Sequence, residues 1–442
     1  MRRTQFARKL FPIVYPSLFS SLFTVTLLLS FNLYSTQVHA KDKGISIACG
    51  AVGLEYELCK SGAQEWSQKS GVPVELVSTP NDTNQKLALF QQLLSSKSED
   101  IDVFMVDVIW PGVLHNHFVD LNGMIPADEK SAHFQNLIDN NTVENRLVAL
   151  PWYVDTGLIY YRKDLLKKYG LEIPTTWSEL TSAAEKIQAG EKKANSKFVG
   201  YVFQGKAYEG LTCNAIEWTA SFGGNTFVLP NGEVKANTPE NVAALEKAAS
   251  WVETIAPKGV LNYAEEEARG VFQSGGAAFM RNWPYAWKLA NAEDSPIAGK
   301  VGVMPIPKGG ANGKNSPILG GWQLSVSKYS KKQKEAAGLV LHLTSQASQK
   351  DRLIKGGFFP TRKALYQIPA LKKGNPVFAV LGQSLETAAA RPSKSTGSQY
   401  NRASNEIWNA VFSVLSKDKT AKESLEDLDK KLGRISRGGK WK

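Results

Sequence analysis

Cysteine and histidine are scarce in this chain: three Cys and five His in 442 residues. Three thiols exclude a small disulfide-dense scaffold. His115 and His117 are two apart, which does not place both on one helix face, and the other histidines show no zinc-binding spacing. Neither a metal nor a cofactor is expected. Long apolar runs are missing after the first forty residues, so no membrane span is expected in the body of the chain. A concentrated charge of one sign is missing as well. Lys and Arg number 53 against 41 Asp and Glu, but the excess lies in pairs such as Lys167-Lys168, Lys192-Lys193, Lys331-Lys332 and Lys372-Lys373, and in the C-terminal tail. Scattered pairs read as solvated faces, so nucleic acid is not an expected partner.

What is present begins with a leader. Arg2, Arg3, Arg8 and Lys9 precede a mostly apolar stretch from Leu18 to Leu33, and Val38-His39-Ala40 is a small-x-small cleavage pattern. This predicts a secretory signal over residues 1–40, cut near Ala40, and a mature chain outside the cytoplasm. A retained anchor fits less well, because Ser, Thr and Asn interrupt the apolar run. Losing the four basic residues leaves 49 Lys and Arg against 41 acids, a net charge of +8. The remaining 400 or so residues suffice for two or three domains. Export permits a disulfide. Cys49 closes the first strand pattern and Cys59 lies early in the next helix, so these two form the candidate pair. Cys213 is then the odd thiol, a small hydrophobe.

Local patterning predicts an α/β fold. Residues 45–48 read as a strand, 54–70 as a helix, 74–77 as a second strand and 101–106 as a third that ends at Asp107. Between the last two, Asp82 or Thr83 can cap a helix with Leu87, Phe90, Leu93 and Leu94 on one face. Alternating strands and helices signal a parallel sheet covered on both sides. The apolar run from Leu147 to Tyr161, broken by Pro151 and Gly157, can cross between domains. Thr176 to Glu179 is a capping box for a helix that stops at Gly190. Thr238-Pro239 opens another helix, with Val242, Leu245, Val252 and Ile255 facing inward. Val301 to Pro305 reads as a second crossing strand, and Gly320-Gly321 as a turn into one more. Two crossings about 150 residues apart imply interleaved lobes.

Candidate functional groups collect at strand ends, where open α/β sheets bind ligands. Arg281 to Trp287 puts Trp283, Tyr285 and Trp287 within five residues, after the apolar run Ala277 to Met280, with Pro284 suited to the first position of a helix. Such rings are either core or flat platforms for the C–H faces of sugars, with indole N–H and phenol O–H free to find polar partners. Glu55 follows the first strand, Asp107 ends the third, Asp155 follows the first crossing and Arg391 precedes the last helices. Each has a structural alternative: a helix-dipole charge, a cap or a bulge residue. Taken with Trp283, Tyr285 and Trp322, they fit a polyol better, since carboxylates accept and Arg donates paired hydrogen bonds.

These residues sit in recognisable motifs. Cys49-Gly50-Ala51-Val52-Gly53-Leu54-Glu55, Val103 to Trp110, Leu150 to Leu158 with Tyr160 to Asp164, Arg281 to Trp287 and Leu319 to Trp322 occur in an order and spacing that resembles the extracellular solute-binding proteins of family 1. These are the sugar receptors of ATP-driven importers, and the likeness is greatest to the trehalose/maltose-binding branch. The resemblance implies a two-lobed periplasmic-binding-protein fold, a hinged clamp with interleaved lobes. It implies a monomer that delivers an α-linked disaccharide, trehalose foremost, with maltose and sucrose as alternatives, to the permease subunits of an ABC importer. The ligand set it implies is Glu55, Asp107, Tyr153, Asp155, Trp283, Tyr285, the backbone at Gly320 and Gly321, Trp322 and Arg391, with Asp82 and Lys86 beside them. Lys86 stands where a relative often carries Arg, which loses the forked donor set. Trp152 is bulkier than expected and would narrow the pocket. The expected lobes are 41–150, then 151–305, a return segment 306–355 and C-terminal helices 356–442. The competing readings are an exported glycoside hydrolase, which needs two paired carboxylates, and a binding protein for another sugar or glycoside.

Overall fold

Short buried runs build the first layer of the computed structural model, which describes residues 44–50, 53–373 and 375–441. The expected leader lies outside the described residues. Strand β1 (Ile45–Ala48) is fully buried. Helix α1 (Gly53–Ser70) returns the chain to β2 (Val74–Val77), and α2 (Thr83–Ser95) leads to β3 (Val103–Asp107). β1 pairs in parallel with both β2 and β3. The cap of α2 is Asp82, whose carboxylate accepts from the N–H groups of Asn84 and Gln85; such a cap contributes about 1 kcal/mol. Leu87, Phe90 and Leu94 of α2 are buried against Phe104, Val106 and Trp110. Cys49 and Cys59 are bonded, with Cα atoms 6.4 Å apart, which ties the end of β1 to α1. Cys213 is free and buried.

The chain then runs through β4 (Leu150–Thr156) directly into β5 (Leu158–Arg162). The two strands belong to different sheets, so the passage falls at Gly157. A side chain there is impossible: a Cβ would lie 1.6 Å from Oε1 of Glu217. Beyond it come α3 (Trp177–Glu191), β6 (Val199–Val202), α4 (Glu209–Ser221), α5 (Pro239–Trp251), α6 (Glu265–Gln273), β7 (Ala277–Asn282) and β8 (Val301–Met304). The capping box at Thr176 and Glu179 is formed, and its helix passes Gly190 by one residue. Helix α5 ends at Trp251, so Val252 and Ile255 are buried beyond its end, and Val242 is only partly covered. Pro284 is not the first residue of a helix but part of a turn that precedes the short helix Ala286–Ala290.

Strand β9 (Leu319–Val326) brings the chain back. Gly320 and Gly321 lie inside it and do not form a turn ahead of it. The five-stranded sheet has the order β2-β1-β3-β9-β4, with β9 antiparallel to both neighbours. The four-stranded sheet has the order β8-β5-β7-β6. Val301–Met304 is therefore an edge strand of the second sheet, paired with β5, and not a crossing strand. The return is made by residues 305–318. Helices α7 (Gln333–Leu343) and α8 (Gln346–Gly356) cover the first sheet beside α1, and α9 (Tyr400–Leu415) packs on α4 over the second. The molecule is two-lobed, one lobe around each sheet. Among the described residues no helix is long and apolar enough to cross a membrane.

Candidate functional site

Sheet register creates the first wall of a cavity. β9 lies between β3 and β4 so that Trp322 is opposite Asp107 on one side and Tyr153 on the other. One strand position thus aligns an acid, an indole and a phenol from three segments that are far apart in sequence. Gly320 pairs with Asp155, and its bareness matters, because a Cβ there would stand 2.9 Å from the Trp283 ring. That ring comes from the second sheet, at the end of β7. The cavity measures about 230 Å³ and lies between the two sheets. Glu55, Lys86, Asp107, Tyr153, Asp155, Trp283, Tyr285, Gly320, Gly321, Trp322 and Arg391 all line it.

Asp82 does not. Its neighbours Asn81 and Thr83 reach the cavity, while Asp82 caps α2 and accepts from Lys206 Nζ at 2.7 Å. Trp152 does not narrow the cavity either. It is fully buried behind the wall, with its indole N–H on the carbonyl of Leu343.

Arg391 is held from both lobes. One guanidinium nitrogen donates to Asp107 at 2.6 Å and another to Glu209 at 2.9 Å. Glu209 accepts from Arg391, Tyr400 and Ser404, which fixes it against the arginine. Nε of Arg391 has no partner among the described residues. Trp283 and Tyr285 are anchored at their polar ends. The indole N–H donates to Glu265 at 3.2 Å and the phenol O–H to Glu266 at 2.6 Å. One face of Trp283 carries the Arg281 guanidinium at 4.0 Å, and Arg281 is itself clamped by Glu217 at 2.7 and 2.9 Å. Trp287 packs against the second lobe's core.

Two charged groups stand unpaired. Lys86 is 3 % exposed and its ammonium makes no hydrogen bond or ion pair among the described residues; Nζ lies 4.6 Å over Trp322. Burial lowers its pKa, and Glu55 and Asp107 oppose that shift. The Asp155 carboxylate, on a residue 7 % exposed, likewise has no partner among the described residues. Burial, then the charges of Glu55 and Asp107, push it up to about 7. Glu55 accepts from the Tyr153 hydroxyl. A donor and an acceptor left open in an apolar-walled cavity are what a polar, uncharged ligand completes. Among the described residues no cluster of His, Cys, Asp or Glu could hold a metal.

A family model described as bacterial extracellular solute-binding protein matches residues 57–350, well over half of the chain. The chain belongs to the bacterial extracellular solute-binding proteins. This solute-binding protein is 48% identical over 408 residues to a probable ABC transporter-binding protein of Deinococcus radiodurans, across 92% of this chain and 96% of the relative. It is similar to the maltose-bound MalE3 of T. maritima, with a TM-score of 0.83 at 37% identity, over 89% of this chain and 99% of that one. The maltodextrin-binding protein MdxE of Bacillus subtilis is 24% identical over 324 residues, 70% of each chain. A solute-binding protein captures its ligand and does not turn it over; this is no enzyme.

The acids of the second lobe's wall, Glu209, Glu265 and Glu266, were not singled out from sequence, nor were Arg269 and Phe358, which also line the cavity. The run Glu265-Glu266-Glu267 was the available signal, two residues after an aromatic and ten before a strand.

Proposed function

We propose that this protein is the periplasmic receptor of an ABC importer for an α-linked disaccharide of glucose, trehalose or maltose, with sucrose next. The observation that carries this reading is the row Asp107–Trp322–Tyr153 on one lobe facing Trp283 and Tyr285 on the other. Rings stack on C–H faces, and acids and bases around them exchange hydrogen bonds with hydroxyls. A cavity of about 230 Å³ is small for a ligand pocket and suits one or two sugar rings, not a long glucan. The maltose carried by the T. maritima relative supports the same class. Arg391 and Lys86 at the wall disfavour a cationic ligand such as a polyamine. The closed lobes would present the sugar to the membrane permease.

Thermal melts with and without millimolar trehalose, maltose, sucrose, glucose and mannitol test this, because any ligand of the native state raises its stability. Trehalose or maltose is expected to raise the melting temperature most, with calorimetry giving the order of affinity. No shift with any member of the panel removes the reading.

A further inference from the structure

Arg352 is a second enclosed, unpaired cation beside the cavity, as buried as Lys86. It projects from α8, is 3 % exposed, and none of its guanidinium nitrogens finds a hydrogen-bond acceptor among the described residues. Rings surround it instead. Its guanidinium carbon lies 3.9 Å from the centroid of Trp152, 4.6 Å from Phe358 and 5.2 Å from Tyr153. A desolvated cation without acceptors is costly, and stacking on rings recovers only part of the loss. Something else in its surroundings favours the charge. Tyr153 and Phe358 are the wall of the cavity, and on its other side stand Glu55, bonded to the Tyr153 hydroxyl, and Asp155. Neither acid has an ion-pair partner among the described residues.

We propose that Arg352 is a positioning residue of the sugar site: the buried counterion behind the Tyr153–Phe358 wall that favours the carboxylate of Asp155, the stronger acceptor for ligand hydroxyls. This rests on the reading of the cavity as a sugar site. The groups that face Asp155 sort cleanly. Glu55 from α1 and Asp107 from β3 repel its charge. Arg352 from α8 and Arg281 from β7 attract it. The phenols of Tyr153, Tyr160 and Tyr366, from β4, β5 and residues 363–367, are neutral neighbours, all raised by burial. Arg281 is already clamped by Glu217. Asp351, next to Arg352 in α8, is bonded to Lys355 instead, and Arg352 is in ion-pair contact with no acid among the described residues, so its field acts on the site through a thin ring wall of low dielectric. Trp152 then has a purpose as the outer plate of the stack.

The test is a carboxyl titration of the unliganded full chain labelled with 13C-aspartate, in wild type, Arg352→Lys and Arg352→Met. Asp155 is assigned by the signal lost in Asp155→Asn. Its midpoint is expected near pH 7 in wild type, little changed in Arg352→Lys, and roughly one pH unit higher in Arg352→Met. Calorimetry with maltose and trehalose should show Arg352→Met about fivefold weaker at pH 7 and close to wild type at pH 9, following that same midpoint. If Arg352→Met does not fold, Arg352→Gln makes the same comparison. An Asp155 midpoint unmoved by loss of the cation overturns the proposal, as does an affinity loss equal at pH 7 and pH 9, which a purely structural role would give. The titration needs no ligand. Absence of sugar binding in wild type would therefore sink the sugar reading separately, while the midpoint still reports whether Arg352 acts on Asp155.

Discussion

Asp155 carries two opposite pH dependences. Its carboxyl is raised from the ordinary 3.8 to about 7, by burial first and by Glu55 and Asp107 after it. A raised folded-state value means that its contribution to stability is complete below about pH 4 and is lost as pH rises toward 7. Sugar hydroxyls need the charged form as acceptor, so affinity should rise over the upper part of that window. Asp155→Asn is expected to raise the melting temperature of the unliganded protein at pH 8 above wild type, and to flatten the pH dependence of affinity between 6 and 8. A variant less stable than wild type at pH 8 contradicts the burial of that charge. Trp322 and Asp107 act through direct contacts. Trp322→Ala removes a ring face and the cation–π partner of Lys86. Asp107→Ala strips Arg391 of its cross-cavity acceptor. Each is expected to weaken maltose or trehalose binding by at least about tenfold, ~1.4 kcal/mol; unfolding by urea should change little in Trp322→Ala, whereas Asp107→Ala also breaks the buried pair with Arg391 and should lower stability. Unchanged affinity in both variants would remove the site from this cavity.

At the scale of elements, what was legible in the sequence was whatever a short window decides. The cap at Asp82, the capping box at Thr176 and the strands at 45–48 and 74–77 follow from local chemistry and are formed as expected. Roles set by strand register were not legible. Nothing near Val301 announces that it pairs with β5 at an edge, nor near Gly320 that the glycines continue a strand. Asp82, expected beside the ligand set, lies outside the cavity lining; its carboxylate caps α2 and accepts from Lys206. Glu265 and Glu266 were missed for the converse reason: acids in a first helical turn read as partners of the helix dipole, and only the second lobe's folding aims them at Trp283 and Tyr285. Arg281 shows how far such support extends. Its bidentate pair with Glu217 is wholly buried, at the point where Gly157 passes between sheets. Glu217→Ala leaves that guanidinium with a single side-chain partner, Gln204. It is expected to cost about 3–5 kcal/mol in urea denaturation and to loosen Trp283, whose face Arg281 covers. A loss under 1 kcal/mol would show the pair to be dispensable.

At the scale of the whole molecule, two lobes meet around a ligand-sized space, and the bonds that span the space set how readily it closes. Arg391 to Asp107 is one, buried and part of the cavity wall. The Glu209 N–H donating to Asn84 at 2.9 Å is another. The third, Lys206 to Asp82 at 2.7 Å, lies at the rim, outside the cavity lining, with 41% of the lysine side chain exposed. It touches no ligand position, so its removal tests closure alone. If binding is capture by closing lobes, each bond present only in the closed form adds to affinity through the population of that form. An exposed pair of this kind contributes about 0.2–1 kcal/mol. Lys206→Met should therefore weaken disaccharide binding by roughly 1.5- to 5-fold at low salt, with the change mostly in the dissociation rate. Its effect should fade in about 1 M salt, where exposed pairs are screened, whereas the Trp322→Ala defect should persist there. Small-angle scattering of the unliganded variant should show a more open average shape. Equal affinity of wild type and Lys206→Met at low salt would mean that the rim bridge forms at no net gain, and that closure is governed by the Arg391–Asp107 and Glu209–Asn84 contacts and the ligand.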